Sequence, residues 1–429
     1  MMRIALRRHN AGSAATAVAP AAVCILAAVL LAPAAPAAVR FVNDLDDGLR
    51  GTGTRDDPFR DLQAAIDEAA DGDVLRIAPG VYSAEAESFV DSLCGNCEEH
   101  RTPVPATRGF AVIGKGIQLL GAGPSATTLE TNAGYGLYFR NSIGSLVTAV
   151  RITGGRRDTS EMATDAGVVV RRSRVTISGV EIADNTDRPE GVVVGIAGVV
   201  GREGAELVVT GNEISNNGWD GIALYRGAVA LVADNTISVG RGAGIGITWD
   251  AAATVLRNDV SGYWKGIGTF GSSRAVVRNN AVHDNLGWGV IATGTSFLEA
   301  SHNTIVRNGN CGFAVWSGSA TGLATGNIIV GNGWREEWVC PCVGVWVQEP
   351  APGFALTHND VWGNTAGDYQ GIENLTGRDG NVSFDPLLAD SLDFSLREGS
   401  PAFDAGSPLF TDPDGGPPDL GITGGPGAR

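Results

Sequence analysis

The sequence predicts an all-β solenoid, a stack of short coils in which each coil rests on the next. Asparagine recurs at Asn212, Asn235, Asn258, Asn280, Asn303 and Asn327, in steps of 23, 23, 22, 23 and 24 residues. Each opens the same phrase, Asn-x-(Ile/Val), then small polar residues, then Gly-(Ile/Val/Phe). The apolar runs are short, β-branched and bounded by Gly or Asn, without helical period. A fixed repeat of this length marks units that bury their apolar faces only against neighbours. Leucine-rich repeats would need Leu where this chain has Ile, Val, Ala or Gly. Helical repeats are longer and poorer in glycine than a chain with 61. Coils of about three strands, each paired in parallel with the next coil roughly 4.8 Å away, fit the pattern.

The elements follow in order. Residues 1–38 read as a secretory signal: Arg3, Arg7 and Arg8, then apolar Ala21–Ala32, then the small-residue site Ala35-Pro36-Ala37. Cys24 falls inside this segment, and an uncleaved anchor is the alternative. Residues 39–82 form an N-terminal opening segment. Within it Phe59, Leu62, Ile66 and Ala69 keep helical spacing up to Asp71-Gly72. A short amphipathic helix there would cover strand edges that an open first coil exposes. Coiling starts with Val74-Leu75-Arg76-Ile77, and residues 83–384 form the body of the solenoid.

The Asn column is structural. Asn tolerates a left-handed turn, and stacked amides bond from copy to copy. The Gly column, Gly221, Gly244, Gly266, Gly289 and Gly312, marks entry into a strand. Between 110 and 200 the step lengthens to 31 or 32 residues, so loops 83–109, 154–166 and 185–191 must leave the coil. Another insertion, 333–341, carries Trp334, Glu336, Glu337 and Trp338. Insertions of this kind cluster on a binding face. Residues 385–429, rich in Pro, Gly and Asp, form a closing segment expected to fold back over the last coil.

At both ends the chain resembles right-handed parallel β-helix proteins of the pectate-lyase-like kind. The opening match runs through Val42-Asn43-Asp44, Gly51-Thr52-Gly53-Thr54, Asp57-Pro58-Phe59 and Ala78-Pro79-Gly80-Val81-Tyr82. The closing match runs through Asp385-Pro386-Leu387, Ser400-Pro401-Ala402-Phe403-Asp404 and Asp412-Pro413-Asp414-Gly415. The resemblance implies right-handed winding and leaves activity open, since the group holds lyases, hydrolases, epimerases and binding proteins. Signatures of particular members are missing. Asn185-Thr186-Asp187 lacks the hydrolases' Asp-Asp, Gly-His-Gly and Arg-x-Lys partners. The epimerases' Asp-Pro-His-Glu and the extracellular pectate lyases' Arg-x-Pro-x-x-Arg are absent.

The formal charge of −16 repels nucleic acid and anionic membranes. It would also repel a polyanionic glycan unless a local cationic patch or bound cations intervened. Loss of the three signal arginines lowers it to −19. Beyond the signal no long apolar run remains, so no membrane span is expected in the mature chain. We expect an exported monomer, extracellular, on the cell surface or periplasmic.

Exported cysteines pair by default. Cys94-Gly-Asn-Cys97 and His100 fall short of a tetrahedral metal site, and a loop disulfide is expected. Aligning Gly312 with Gly344 sets Cys311 diagonal to Cys342 on adjacent coils. This predicts a Cys311–Cys342 bond, with Cys340 as the competitor. No metal site is assigned. Calcium stays open as a cofactor, because Asp412-Pro-Asp414-Gly415 resembles the start of a calcium loop but lacks its later ligands.

Stacking the coils in register places chemistry on one face. Before the Gly column stand Trp219-Asp220, Trp264-Lys265 and Trp288; past the strand stand Tyr225, Phe270 and Trp316, with Arg226, Trp249 and Asp250 beside them. The expectation is two aromatic margins suited to the apolar faces of sugar rings, although aromatics also simply pack. Lys265 is the sharpest catalytic candidate. In β-elimination of uronic-acid polysaccharides a Lys or Arg removes the C5 proton while a cation or acid neutralises the carboxylate. Burial beside Trp264 would lower the pKa of Lys265. Asp220 lies two coils away in the same column, and His283 is added for its pKa. Two functions fit: a carbohydrate-active enzyme, most concretely a polysaccharide lyase on acidic glycans, or a non-catalytic β-helix that binds glycan or a partner protein.

Overall fold

The computed structural model describes residues 37–45, 49–160, 162–390 and 392–428; the segment expected to be a secretory signal, 1–38, lies outside them except for its last two residues. Three long sheets run the length of the body, two of twelve strands and one of eleven. Each coil gives one strand to each sheet. In one coil these are Ile222–Leu224 in sheet 3, Val229–Ala233 in sheet 1 and Thr236–Ser238 in sheet 2. Pairing is in register, Ile214 on Ile237 and Ile237 on Val260. Because side chains alternate faces, Val209, Val232, Val255 and Val277 stack inward with no exposure. Named strands pair in parallel, except Glu87–Asp91, which runs antiparallel to Val104–Ile113.

The solenoid starts one strand earlier than expected. Val39–Val42 pairs with Val74–Ile77 as the first strand of sheet 1. The helix Leu62–Glu68 follows it, capped by the Asp61 carboxylate, with Leu62, Ala65 and Ile66 buried over the first coil.

The Asn column lies between sheets 1 and 2. Asn235 donates to Asn258 Oδ1 at 2.8 Å and to Val209 O at 2.9 Å, and Asn258 repeats the pattern with Asn280 Oδ1 at 2.9 Å and Val232 O at 3.0 Å. The left-handed turn is not on the ladder residue, as expected from the sequence, but on the residue before it: Asp234, Arg257, Asn279 and His302 have φ of 57°, 51°, 54° and 54°. The turn aims the next side chain inward, and the amide then binds carbonyls above and below.

A second amide ladder, five residues further along, closes the turn between sheets 2 and 3. It links Asn185 with Asn217, and Asn285 with Asn308, Asn332 and Asn364. Gly240 and Tyr263 occupy the two intervening places. The Tyr263 ring is fully buried, and a Cβ added to Gly240 would stand 2.2 Å from Tyr263 Cε1.

The closing segment is irregular. It runs along the outside of sheet 2, where Phe394, Ala402, Leu420 and Ile422 bury against Ala281, Val306, Ile328 and Val330. Apolar outward residues on that sheet require such a cover.

Candidate functional site

Insertions cover the outer face of sheet 3 from both ends. At one end, the segment around Cys94, Val104 and Ala163 packs on Tyr135, Val169 and Val200. Asp91 pins this cover by pairing with both Arg171 and Arg202, all of them buried. At the other end, Cys340 and Val343 of the 333–343 segment pack on Trp288, Ile291 and Ala314.

Between the covers, strand register sets Asp220, Ala243, Lys265 and Trp288 in one row. Small residues Ala223, Gly246 and Gly268 make the neighbouring outward row, so the Asp220 carboxylate lies over the floor: a Cβ on Gly246 would come within 4.0 Å of its Oδ2. Asp220 Oδ1 accepts from Ala243 N at 2.6 Å and Oδ2 from the Tyr225 hydroxyl at 3.4 Å. Burial pushes the Asp220 carboxyl up to about 6, with the Ala243 hydrogen bond and the Lys265 charge pulling it back. Burial likewise lowers Lys265, and Asp220 opposes that shift. The Lys265 ammonium lies 5.7 Å from the Phe270 ring centre and 6.0 Å from that of Trp288.

The aromatic residues do not form two separate margins. Trp338, Trp264, Trp288, Trp316 and Trp346 make one continuous chain of ring contacts with centroids 4.7, 5.7, 5.3 and 5.6 Å apart. Trp288 is only 2 % exposed, and Phe270 folds down over Gly268. On the far margin Arg226 stacks on Trp249 at 4.0 Å and donates to Cys97 O, tying it to the disulfide loop. Asp250 braces the turn by accepting from Gly227 N at 2.9 Å.

His283 does not join this site. It lies on sheet 2, with Nε2 3.0 Å from Asp259 and Nδ1 2.8 Å from Asp284, beneath the Phe394 ring. Burial opposes its charge, but the two carboxylates win and hold its pKa above the ordinary value.

The cysteines divide. A disulfide joins Cys94 and Cys97. Cys311, Cys340 and Cys342 are free and buried, so the expected Cys311–Cys342 bond is corrected. Val343 lies opposite Cys311, which sets Cys342 one place earlier, where a strand's side chain turns the other way. Its thiol donates to Arg335 O at 3.0 Å and receives Asn310 Nδ2 at 3.7 Å. Asp412 and Asp414 accept from backbone N–H groups of the closing turn. Among the described residues no three His, Cys, Asp or Glu side chains converge as a metal site.

Two cavities flank the row. One of about 610 Å³ is lined by Trp219, Gly240, Trp264, Trp338, Arg241, Arg335, Glu336 and Glu337. A smaller one, about 200 Å³, lies under the disulfide loop and is lined by Asn96, Thr164, Asp165, Trp219 and Tyr225. Asp165, Arg157, Arg241 and Arg335 were not singled out from sequence. The 31-residue step carries the signal for Asp165, which leads into the column later held by Trp219 and Trp264.

The family described as right-handed beta helix region matches residues 110–260 and 195–382. No curated protein matches. Among solved structures, pectate lyase Pel9A is 13% identical, with 90% of this chain and 95% of that one covered, at a TM-score of 0.47. The A-module of the mannuronan C-5 epimerase AlgE6 of Azotobacter vinelandii is 16% identical, with 76% and 94% covered, at 0.41. XylC in complex with xylose is 11% identical, with 78% and 76% covered, at 0.43.

Proposed function

This chain belongs to the right-handed beta helix family, and on that premise we propose that it is an exported carbohydrate-active protein, most concretely a polysaccharide lyase acting on an acidic glycan across the outer face of sheet 3. The observation that carries this reading is the Asp220–Lys265 row, where burial moves an acid up and a base down on one small-residue floor. A lysine with lowered pKa keeps a larger neutral fraction and can take the proton next to a uronate carboxyl. A carboxyl near 6 can hold or release a proton close to neutral pH. Lys265, Arg241 and Arg335 offer cationic partners to a uronate, with Glu336 and Glu337 beside the two arginines. Trp264 and Trp338 offer ring faces beside them.

A non-catalytic protein that binds glycan or a partner protein on this face is the second reading. The mutual packing of Trp264, Trp288 and Trp316 favours it, since rings engaged with one another are less available to sugar. Incubation with polyuronates and neutral glycans, followed by unsaturated-product absorbance and reducing ends, separates the two. Turnover abolished in Lys265→Ala supports the lyase; binding without turnover across the panel supports the second reading.

A further inference from the structure

The smaller cavity is built mostly by parts of the chain outside the Asp220–Lys265 row. Its roof is the disulfide loop at Asn96, its sides are Thr164, Asp165 and Val194, and its floor is Ala197 and Val200 of sheet 3. Trp219 lines this space and the larger cavity alike, so one indole stands between them. Tyr225 also lines it while donating to Asp220. A chain crossing the reactive row therefore meets this cavity next.

Its polar groups are incompletely bonded. The Asp165 side chain is fully buried; Oδ2 accepts from Arg157 Nη1 at 2.6 Å and from Asp158 N at 2.7 Å, and Oδ1 has no partner. Arg157, which pairs with Asp165 but does not itself line the cavity, has no exposure either. Its Nη1 also donates to Ala163 O at 2.8 Å, while Nε and Nη2 are unmatched. Buried groups left without a bond are destabilising, and such groups call for a partner.

The lining decides the ligand chemistry. Asn96, Thr164, Asp165 and Tyr225 supply acceptors and donors that sugar hydroxyls match. A carboxylate would meet no Lys, Arg or His among the described lining residues and would face Asp165. A sugar ring also offers apolar C–H faces to Ala197, Val200 and the Tyr225 ring. At about 200 Å³ the space lies below the roughly 300–1,000 Å³ of drug-sized sites, so it takes one ring and no more. We propose that this cavity is a subsite for a single neutral sugar residue, so that the glycan is a heteropolymer in which neutral and acidic residues lie close together. The assignment rests on the glycan reading above and narrows its substrate.

The test is a calorimetric titration of the full chain with methyl glycosides of glucose, galactose and mannose, and with the matching methyl uronates. At least one neutral glycoside is expected to bind with a dissociation constant on the order of millimolar, and its uronate about tenfold more weakly. Val194→Trp, which fills the cavity from a loop, should abolish binding, and Asp165→Asn should weaken it. The proposal is overturned if no neutral glycoside binds, if the uronates bind as tightly, or if Val194→Trp binds like the parent. Neutral-sugar binding without polyuronate turnover would sink the lyase and keep the subsite; turnover without neutral-sugar binding would do the reverse.

Discussion

Asp220 and Lys265 stand in one row of sheet 3, two coils apart, and each draws the other's ionisation back from where burial pushes it. No ion pair joins them among the described residues, so their coupling acts through a low-polarity gap over Gly246 and Gly268. Lys265→Met should therefore raise the Asp220 carboxyl above its value of about 6. Carbon-detected NMR titration of labelled aspartate reads this directly. An unchanged midpoint would mean the two groups are independent.

Gly240 touches the Tyr263 ring where the second amide ladder is interrupted. Gly240→Ala has no room for its methyl and should cost about 1–3 kcal/mol, as overpacking does. Chemical denaturation followed by tryptophan fluorescence measures it. Because Gly240 also lines the larger cavity, glycan affinity should fall as well.

Asn258 closes four buried bonds with Asn235, Asn280 and Val232. Asn258→Ala strips partners from both adjoining coils, and about 1–3 kcal/mol per stranded group predicts a loss of several kcal/mol. Hydrogen exchange should show the loosening centred on the neighbouring turns. Protection equal to the parent's would contradict a structural role for the ladder.

Two histidines beneath the closing segment give opposite pH dependences. His302 is buried with both ring nitrogens unmatched, and burial, aided by the Arg278 charge, lowers it to about 4. The unfolded chain takes that proton first, near its ordinary value of about 6.5. Its contribution is thus present above about 6.5 and is lost as pH falls toward 4, roughly 3 kcal/mol in all. His283 is raised by Asp259 and Asp284; its contribution is full below its ordinary value and is lost as pH rises through the folded one. Denaturation midpoints against pH should lose the acid-side fall in His302→Phe and the alkaline-side fall in His283→Gln.

Asp91 pairs with Arg171 and Arg202 beneath the cover of sheet 3. Asp91→Ala leaves two buried guanidinium groups sharing the Glu203 carboxylate alone, and removing one partner of such a set costs about 3–5 kcal/mol. Limited proteolysis should then cut within residues 92–103, where the parent resists.

The repeat was readable because a ladder of amides fixes spacing: Asn212 through Asn327 marked one turn of every coil. The opening helix was readable for the same reason, since Phe59, Leu62 and Ile66 must share a face. The second ladder was equally visible, five residues on, but Gly240 and Tyr263 broke its rhythm. Column stacking correctly aligned Asp220 with Lys265, because register survives insertions outside the strands. It could not place His283, whose sheet depends on where the coil bends. Nor could it show the tryptophans packing across the face, since ring direction is set by neighbours from different coils. Asp165 and Arg157 were hidden for another reason: their burial comes from the loop at Asn96, which follows no period.

The most direct measurement is a crystal structure of the Lys265→Ala protein soaked with an acidic oligosaccharide. The account predicts a uronate ring over Gly246 beside Phe270, its C5 facing the truncated side chain and Asp220. Sugar bound on sheet 1 or sheet 2, or none on sheet 3 at saturating concentration, would contradict it.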